Sequence, residues 1–169
     1  SRSAGNSGSN TCTPYPSGFK TVLGSYQSAK NTLVVGNTTS DGTIITASSK
    51  GPVMDGRIKP EIAVMGTSVI SCWFGNSYGS NTGTSMAAPG ASGGLTLLYQ
   101  RYRQLNTGSN PKNALMKALL INGATDKGNA GPDFSYGFGW MNLLRSVDML
   151  NNNRYFTSTI ITSGVNSHS

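Results

Sequence analysis

The chain has 169 residues, enough for one domain with a real core, and its 13 Lys and Arg against 6 Asp and Glu give a formal charge of +7. With 36% hydrophobic residues in periodic runs the composition is not that of a disordered chain, and with only 11% charged residues and abundant Gly, Ser, Thr and Asn it suits a loop-rich, extracellular type of domain. The basic residues are scattered without a dense run or an aromatic-interleaved patch, which argues against a nucleic-acid partner, and no apolar stretch is long enough to span a membrane.

Ser1-Arg2-Ser3-Ala4-Gly5-Asn6-Ser7-Gly8 reads as a strand end running into a glycine-bounded loop, and Pro14 and Pro16 prolong the loop. Thr32 to Gly36 is a short apolar run of the buried-strand type, Ile44 to Ala47 a second extended candidate, and Pro60 to Gly66 a third strand ended by glycine. Turn signals lie at residues 48–52 and at Asp55-Gly56. From Thr67 to Asn81 the chain is polar, aromatic and glycine-spaced, which predicts a surface loop.

The longest helix is predicted after Ser85, with Ala91, Leu95, Leu98, Tyr102 and Leu105 on one stripe. Gly93 and Gly94 within it weaken it intrinsically and point to close packing against a neighbour. A second helix is predicted from an Asn110 cap and Pro111 to Asn122-Gly123, and a third from about Trp140 to Leu150 with Leu143, Leu144 and Val147 inward. Asn151 to Asn153 reads as a linker, and Tyr155 to Thr162 alternates as a strand does. Strands followed by helices argue an α/β fold on a buried parallel sheet. The abrupt start makes residues 1–150 read as the later part of a larger domain, with 151–169 a linker and the possible start of a β domain.

Gly83-Thr84-Ser85-Met86-Ala87-Ala88-Pro89 carries the chemistry. Gly83 and Thr84 leave the Ser85 hydroxyl unobstructed, and Ala87 and Ala88 let a helix start close against its neighbour, with Pro89 placed in its first turn. At a helix N-terminus Ser85 would meet unpaired backbone N–H groups and the positive end of the dipole, which favour a developing anion. A capping serine is the simpler reading of that position. Serine-based acyl transfer also requires a base, a group that orients the base, and oxyanion donors. Asn6 offers an amide donor. The single histidine, His168, lies in a polar tail and is a poor candidate for the base. Cys12 and Cys72 are too few for a zinc cluster. They could form a disulfide closing a long loop, worth ~3–4 kcal/mol, or remain two separate buried thiols.

These motifs resemble the subtilases, the subtilisin-like serine endopeptidases. Residues 83–89 look like the nucleophile heptapeptide and residues 3–8 like the oxyanion-asparagine segment. Residues 48–52 and 55–62 are similar to the run between those two, and residues 120–126 and 136–142 to the C-terminal helices and turn. The order is the family's, over roughly residues 1 to 150. The resemblance implies an α/β fold, part of a parallel-sheet α/β/α sandwich truncated at its N-terminal side. It also implies an acyl-enzyme on Ser85, an oxyanion hole from Asn6 and the Ser85 N–H, and substrate-binding roles for Ala4, Gly5 and Thr84. Aspartate and histidine motifs are absent, so the implied partners are a polypeptide substrate and an N-terminal half bearing them, and the chain alone is expected to be inactive. Self-association of the exposed edges, or a non-catalytic binding or scaffolding module, is the alternative. A secreted or extracytoplasmic location is implied. No metal site is assigned: calcium is possible by resemblance, but Asp41, Asp55, Asp126 and Asp133 are far apart in sequence.

Overall fold

A computed structural model describes residues 1–24 and 26–157. The element order is β1 (Arg2–Ser3), β2 (Val34–Thr38), β3 (Ile62–Met65), β4 (Val69–Trp73), β5 (Ser77–Asn81), α1 (Thr84–Leu105), α2 (Asn113–Asn122) and α3 (Leu143–Asn151). β1, β2 and β3 form one parallel sheet in that order, with Arg2 opposite Val34 and Val35 opposite Ile62. β2 is buried along its whole length, its apolar Val34-Val35 followed by buried Gly36, Asn37 and Thr38, and β3 is an apolar run buried up to Val64, as parallel strands covered on both faces are.

The three helices share a single core with one face of the sheet: Val35, Ile62 and Val64 meet Ala87, Ala91 and Leu98 of α1, Leu119 and Leu120 of α2, and Leu150 of α3. Fully burying a leucine such as Leu98 or Leu120 contributes about 1.5–3 kcal/mol relative to leaving it exposed. The opposite face carries a small cluster, Ala4, Val22, Val34 and Val53, contributed by strands and irregular segments. Among the described residues, therefore, the second helical layer of a sandwich is not present.

The two sheet edges differ. Beside β3, residues 138–141 close the edge, with Phe138 N–H donating to the Glu61 carbonyl, Ala63 N–H to Gly139 and Met141 N–H to Ala63, each at 2.9 Å. At the other edge, Arg2 and Ala4 N–H donate inward to the Leu33 and Val35 carbonyls at 2.8 and 2.9 Å, so the intervening Ser3 turns its N–H and C=O outward.

Several boundaries differ from those read off the sequence. Residues 67–81 form a two-stranded antiparallel hairpin rather than a loop, reversing through Gly75 and Asn76 at φ 70° and 53°. Ile44 makes only an isolated bridge to Thr38. Asn110 does not cap α2, because its Oδ1 accepts from Arg103 Nη1 at 2.7 Å, and the cap position passes to Lys112. α3 begins later than predicted, capped by Asn142, whose side chain accepts from Arg145 N–H; Trp140 is instead tied to Thr125 in a bridge, and Leu144 points outward, 80% exposed. Gly94 does mark close packing, since a Cβ there would lie 2.7 Å from Leu143, whereas Gly93 faces open space. The predicted strand from Tyr155 extends largely into residues 158–169, outside the described residues, as does His168. Cys12 and Cys72 are free thiols, the first half-buried and the second exposed on β4, so neither a disulfide nor a pair of buried thiols is found.

Below β2 lies a charged cluster. Lys59 is 1% exposed and Glu61 5%. One Glu61 carboxylate oxygen accepts from both Lys59 and Lys117, the latter at 2.7 Å, and the other accepts from Val34 N–H at 2.7 Å. Burial pushes the Lys59 ammonium below its ordinary range, while Glu61 opposes that shift.

Candidate active site

The functional candidates converge at the C-terminal ends of the parallel strands, where ligands bind in open α/β sheets. β1 runs directly into Ala4-Gly5-Asn6. β3 is followed by Gly66, where the chain departs into the β4–β5 hairpin and returns to the same point. Gly66 N–H donates to Thr38 at 3.1 Å and Gly83 N–H to Gly66 at 2.9 Å, while Ser68 N–H meets Thr82 Oγ1 at 2.9 Å. A Cβ on Gly66 would lie 2.6 Å from the Gly83 oxygen and 2.7 Å from the Ala87 nitrogen, so only glycine lets α1 start against the end of β3. The hairpin is thus pinched at its base, and its return strand delivers residues 83–85 next to Asn6.

Asn6 is locked by Thr84. The Thr84 N–H and Oγ1 both donate to Asn6 Oδ1, at 3.1 and 3.0 Å, and Gly5 N–H donates to Thr84 Oγ1 at 3.2 Å. A backbone N–H can only donate, so the atom facing it must be the amide oxygen; this fixes the carboxamide orientation and leaves its NH2 group as the available donor. A Cβ on Gly83 would stand 3.3 Å from that nitrogen, so a side chain there would crowd it. The loop is held from below as well: Ser7 N–H donates to Ser49 Oγ at 3.0 Å and Ser49 N–H to the Gly5 carbonyl at 2.9 Å. Gly5 has φ 107°, and a Cβ would meet Ser49 Oγ at 2.9 Å, which explains glycine at this turn.

Ser85 is the second residue of α1 and is exposed. The N-cap is Gly83, with no side-chain cap bond, so the capping role does not fall to Ser85. Of the first N–H groups of the helix, that of Thr84 goes to Asn6, and those of Met86 and Ala87 go to the Gly83 carbonyl at 3.0 and 3.2 Å. Among the described residues the Ser85 N–H and hydroxyl have no hydrogen-bond partner. Pro89 lies inside the helix rather than in its first turn; being four residues on, it offers no N–H to the Ser85 carbonyl. The result is an exposed hydroxyl at a helix N-terminus beside two unspent N–H donors, its own and that of Asn6. Such an arrangement can stabilise an oxyanion on an acyl group attached to Ser85.

Comparisons with known proteins give the family of the chain. Residues 1–139 match the profile of the subtilase family, Peptidase S8. The chain belongs to the subtilase family. It is 37% identical over 90 residues to the C5a peptidase of Streptococcus pyogenes, spanning 52% of this chain and 8% of that protein. It is 35% identical over 121 residues to the serine protease AprX of Bacillus subtilis, spanning 63% of this chain and 26% of that protein. The solved structure of the Clostridium perfringens CspB protease superposes with a TM-score of 0.73 at 29% identity, over 83% of this chain and 30% of that one. A lanthipeptide protease shares the fold, with a TM-score of 0.71 at 20% identity. The subtilase chain thus spans only a minor part of the curated relatives it matches.

The other residues predicted for this subtilase site are distributed unequally. Thr84 is fully buried, with its hydroxyl spent on Asn6 and Gly5, so its side chain acts by holding Asn6. Ala4 is 2% exposed and directs its methyl into the cluster with Val22, Val34 and Val53, while the Gly5 N–H is engaged by Thr84 and its carbonyl by Ser49. Ser49, which anchors the loop, was not singled out by the sequence, since its partners are Gly5 and Ser7, more than forty positions away. Among the described residues no three His, Cys, Asp or Glu side chains converge as metal ligands, and no helix is long and apolar enough to cross a membrane. Asp41 accepts from Thr39 and Thr43, Asp133 from Asn129, Ser135 and Tyr136, and Asp126 from Gly131, so each aspartate is engaged in its own turn.

Proposed function

We propose that this chain supplies the nucleophile and oxyanion hole of a subtilisin-like serine endopeptidase. Ser85 Oγ attacks the scissile carbonyl carbon, its proton passes to a base, and the carbonyl oxygen gains negative charge between the Ser85 N–H and the Asn6 amide. Collapse of the adduct expels the amine, which takes the proton from the base, and leaves the acyl group on Ser85; water then releases it by the reverse sequence. The observation that carries this reading is the Asn6 carboxamide, turned by Thr84 so that its NH2 group remains unspent at the start of α1.

The base and the acid that orients it come from polypeptide outside this sequence, a stretch bearing the aspartate and histidine motifs. The one histidine of this sequence, His168, lies in the polar tail and is a poor candidate for the base. The substrate is a polypeptide, and the low charge content favours an extracytoplasmic setting. The test is fluorophosphonate labelling followed by mass spectrometry. The 169-residue chain alone stays unlabelled and hydrolyses peptides at the buffer rate. With the base-bearing polypeptide supplied, Ser85 takes the label and Ser85→Ala does not. Label on a different serine, or turnover by the chain alone, would refute the assignment.

A further inference from the structure

Asn6 is exposed, so no packing cages its side chain and only bonds can hold its amide still. Thr84 fixes one atom of that amide, Oδ1, through donors at 3.1 and 3.0 Å. A group pinned at a single atom can still pivot about it. The NH2 group keeps one position only if the backbone that carries Asn6 is fixed as well.

Residues 47–49 fix that backbone from both sides. Ser49 N–H donates to the Gly5 carbonyl at 2.9 Å, and Ser49 Oγ accepts from Ser7 N–H at 3.0 Å. Gly8 N–H adds a bond to the Ala47 carbonyl at 2.9 Å. One buried residue, Ser49, therefore grips the chain immediately before and immediately after Asn6. The grip has a firm footing on β2, the middle strand of the parallel sheet. Ile45 N–H donates to the Asn37 carbonyl at 3.1 Å and Asn37 N–H to Ser48 Oγ at 3.0 Å, which fastens the turn to that strand. Asn37, Ser48 and Ser49 are all fully buried, so water does not compete for these bonds.

We propose that Ser49 is a positioning residue for the oxyanion donor: by holding residues 5 and 7 it sets where the Asn6 NH2 group stands relative to the Ser85 N–H. The proposal rests on the peptidase reading and deepens it. Buried beneath the loop, Ser49 reaches no substrate and acts through Asn6. An oxyanion donor serves only at about 2.7–3.1 Å from the developing charge, and a misplacement of about 1 Å can cost about a hundredfold in rate. The ground-state substrate gains little from that donor, so the loss falls on kcat rather than on KM.

The test uses the chain together with the polypeptide bearing the aspartate and histidine motifs. Ser49→Ala removes the acceptor of the Ser7 N–H and should lower kcat about 10- to 100-fold, with KM changed less than about threefold. In an Asn6→Ala background the same substitution should cost less than about threefold, because the group it positions is gone. Ser146→Ala removes an equally buried hydroxyl on α3, which donates to the Asn142 carbonyl at 3.1 Å, and should leave kcat within about twofold. Side-chain 15N relaxation reads the same point without catalysis. The order parameter of the Asn6 NH2 group should drop from the rigid range, about 0.85, to below about 0.6 in Ser49→Ala. If alanine prevents folding, Ser49→Cys nearly keeps the volume with a much weaker acceptor and should show the same pattern at smaller size. A loss in KM alone, a full loss in the Asn6→Ala background, an equal loss in Ser146→Ala or unchanged Asn6 relaxation would each overturn the proposal. A parent complex that hydrolyses no peptide would overturn the peptidase reading instead, and the relaxation would still decide whether Ser49 holds Asn6.

Discussion

Replacing Thr84 with valine removes one hydroxyl and leaves the shape almost unchanged, which makes it a direct probe of how Asn6 is held. Two hydrogen bonds disappear, Thr84 Oγ1 to Asn6 Oδ1 at 3.0 Å and Gly5 N–H to Thr84 Oγ1 at 3.2 Å. A typical bond contributes about 0.5–1.5 kcal/mol net, and stranding a donor in a confined site raises the loss, so Thr84→Val should cost about 2 kcal/mol. With a urea slope of about 1–3 kcal/mol/M, the unfolding midpoint should fall by about 1 M. Thr84→Ser keeps the hydroxyl and forfeits one methyl group, for about 1 kcal/mol. The two variants separate more sharply in amide exchange: Gly5 should exchange faster in Thr84→Val and remain protected in Thr84→Ser. Unchanged Gly5 exchange in the valine variant, or a stability within about 0.5 kcal/mol of the parent, would refute the idea that this hydroxyl ties the asparagine loop to the helix.

Two further outcomes follow from local geometry. Gly93→Ala meets nothing within 4 Å and should stabilise α1 by up to about 1 kcal/mol, whereas Gly94→Ala brings a Cβ to 2.7 Å from Leu143 and should destabilise or at best be neutral, as read by paired thermal melts. The Asp41 carboxyl lies below its ordinary value of 3.8 because the Thr39 hydroxyl and then the Thr43 N–H bond its charged form. That contribution to stability is present above the unfolded value and lost as pH falls through the lower folded one; an NMR titration should find the depressed midpoint, and Thr39→Val should raise it.

Much of the site was legible because its signals are local. Gly83 to Pro89 announces a tight turn into a helix, and the glycines around Asn6 announce an open loop. β3 is an apolar run of strand length followed directly by glycine, whereas β2 continues past its predicted end at Gly36 through Asn37 and Thr38. What escaped depends on long-range pairing. Thr84 could be read as lining a site, but its bonds to Asn6 and Gly5 span 78 and 79 positions. Asn110 has the chemistry of a cap, yet Arg103 claims it. The β4–β5 hairpin is exposed on both faces, so it lacks the alternation that marks a half-buried strand; Gly75-Asn76 was its one turn signal. Lys59 gave no sign of being buried, since the partner that shares its carboxylate lies on α2.

The central claim is that Ser85 is an acyl-transfer nucleophile held in readiness for a base it does not itself possess. Fluorophosphonate labelling tests this most directly. The account predicts adduct on Ser85, and on no other serine, only when the polypeptide bearing the aspartate and histidine motifs is present. An unlabelled Ser85 in that complex, or peptide hydrolysis by the 169-residue chain alone, would contradict it.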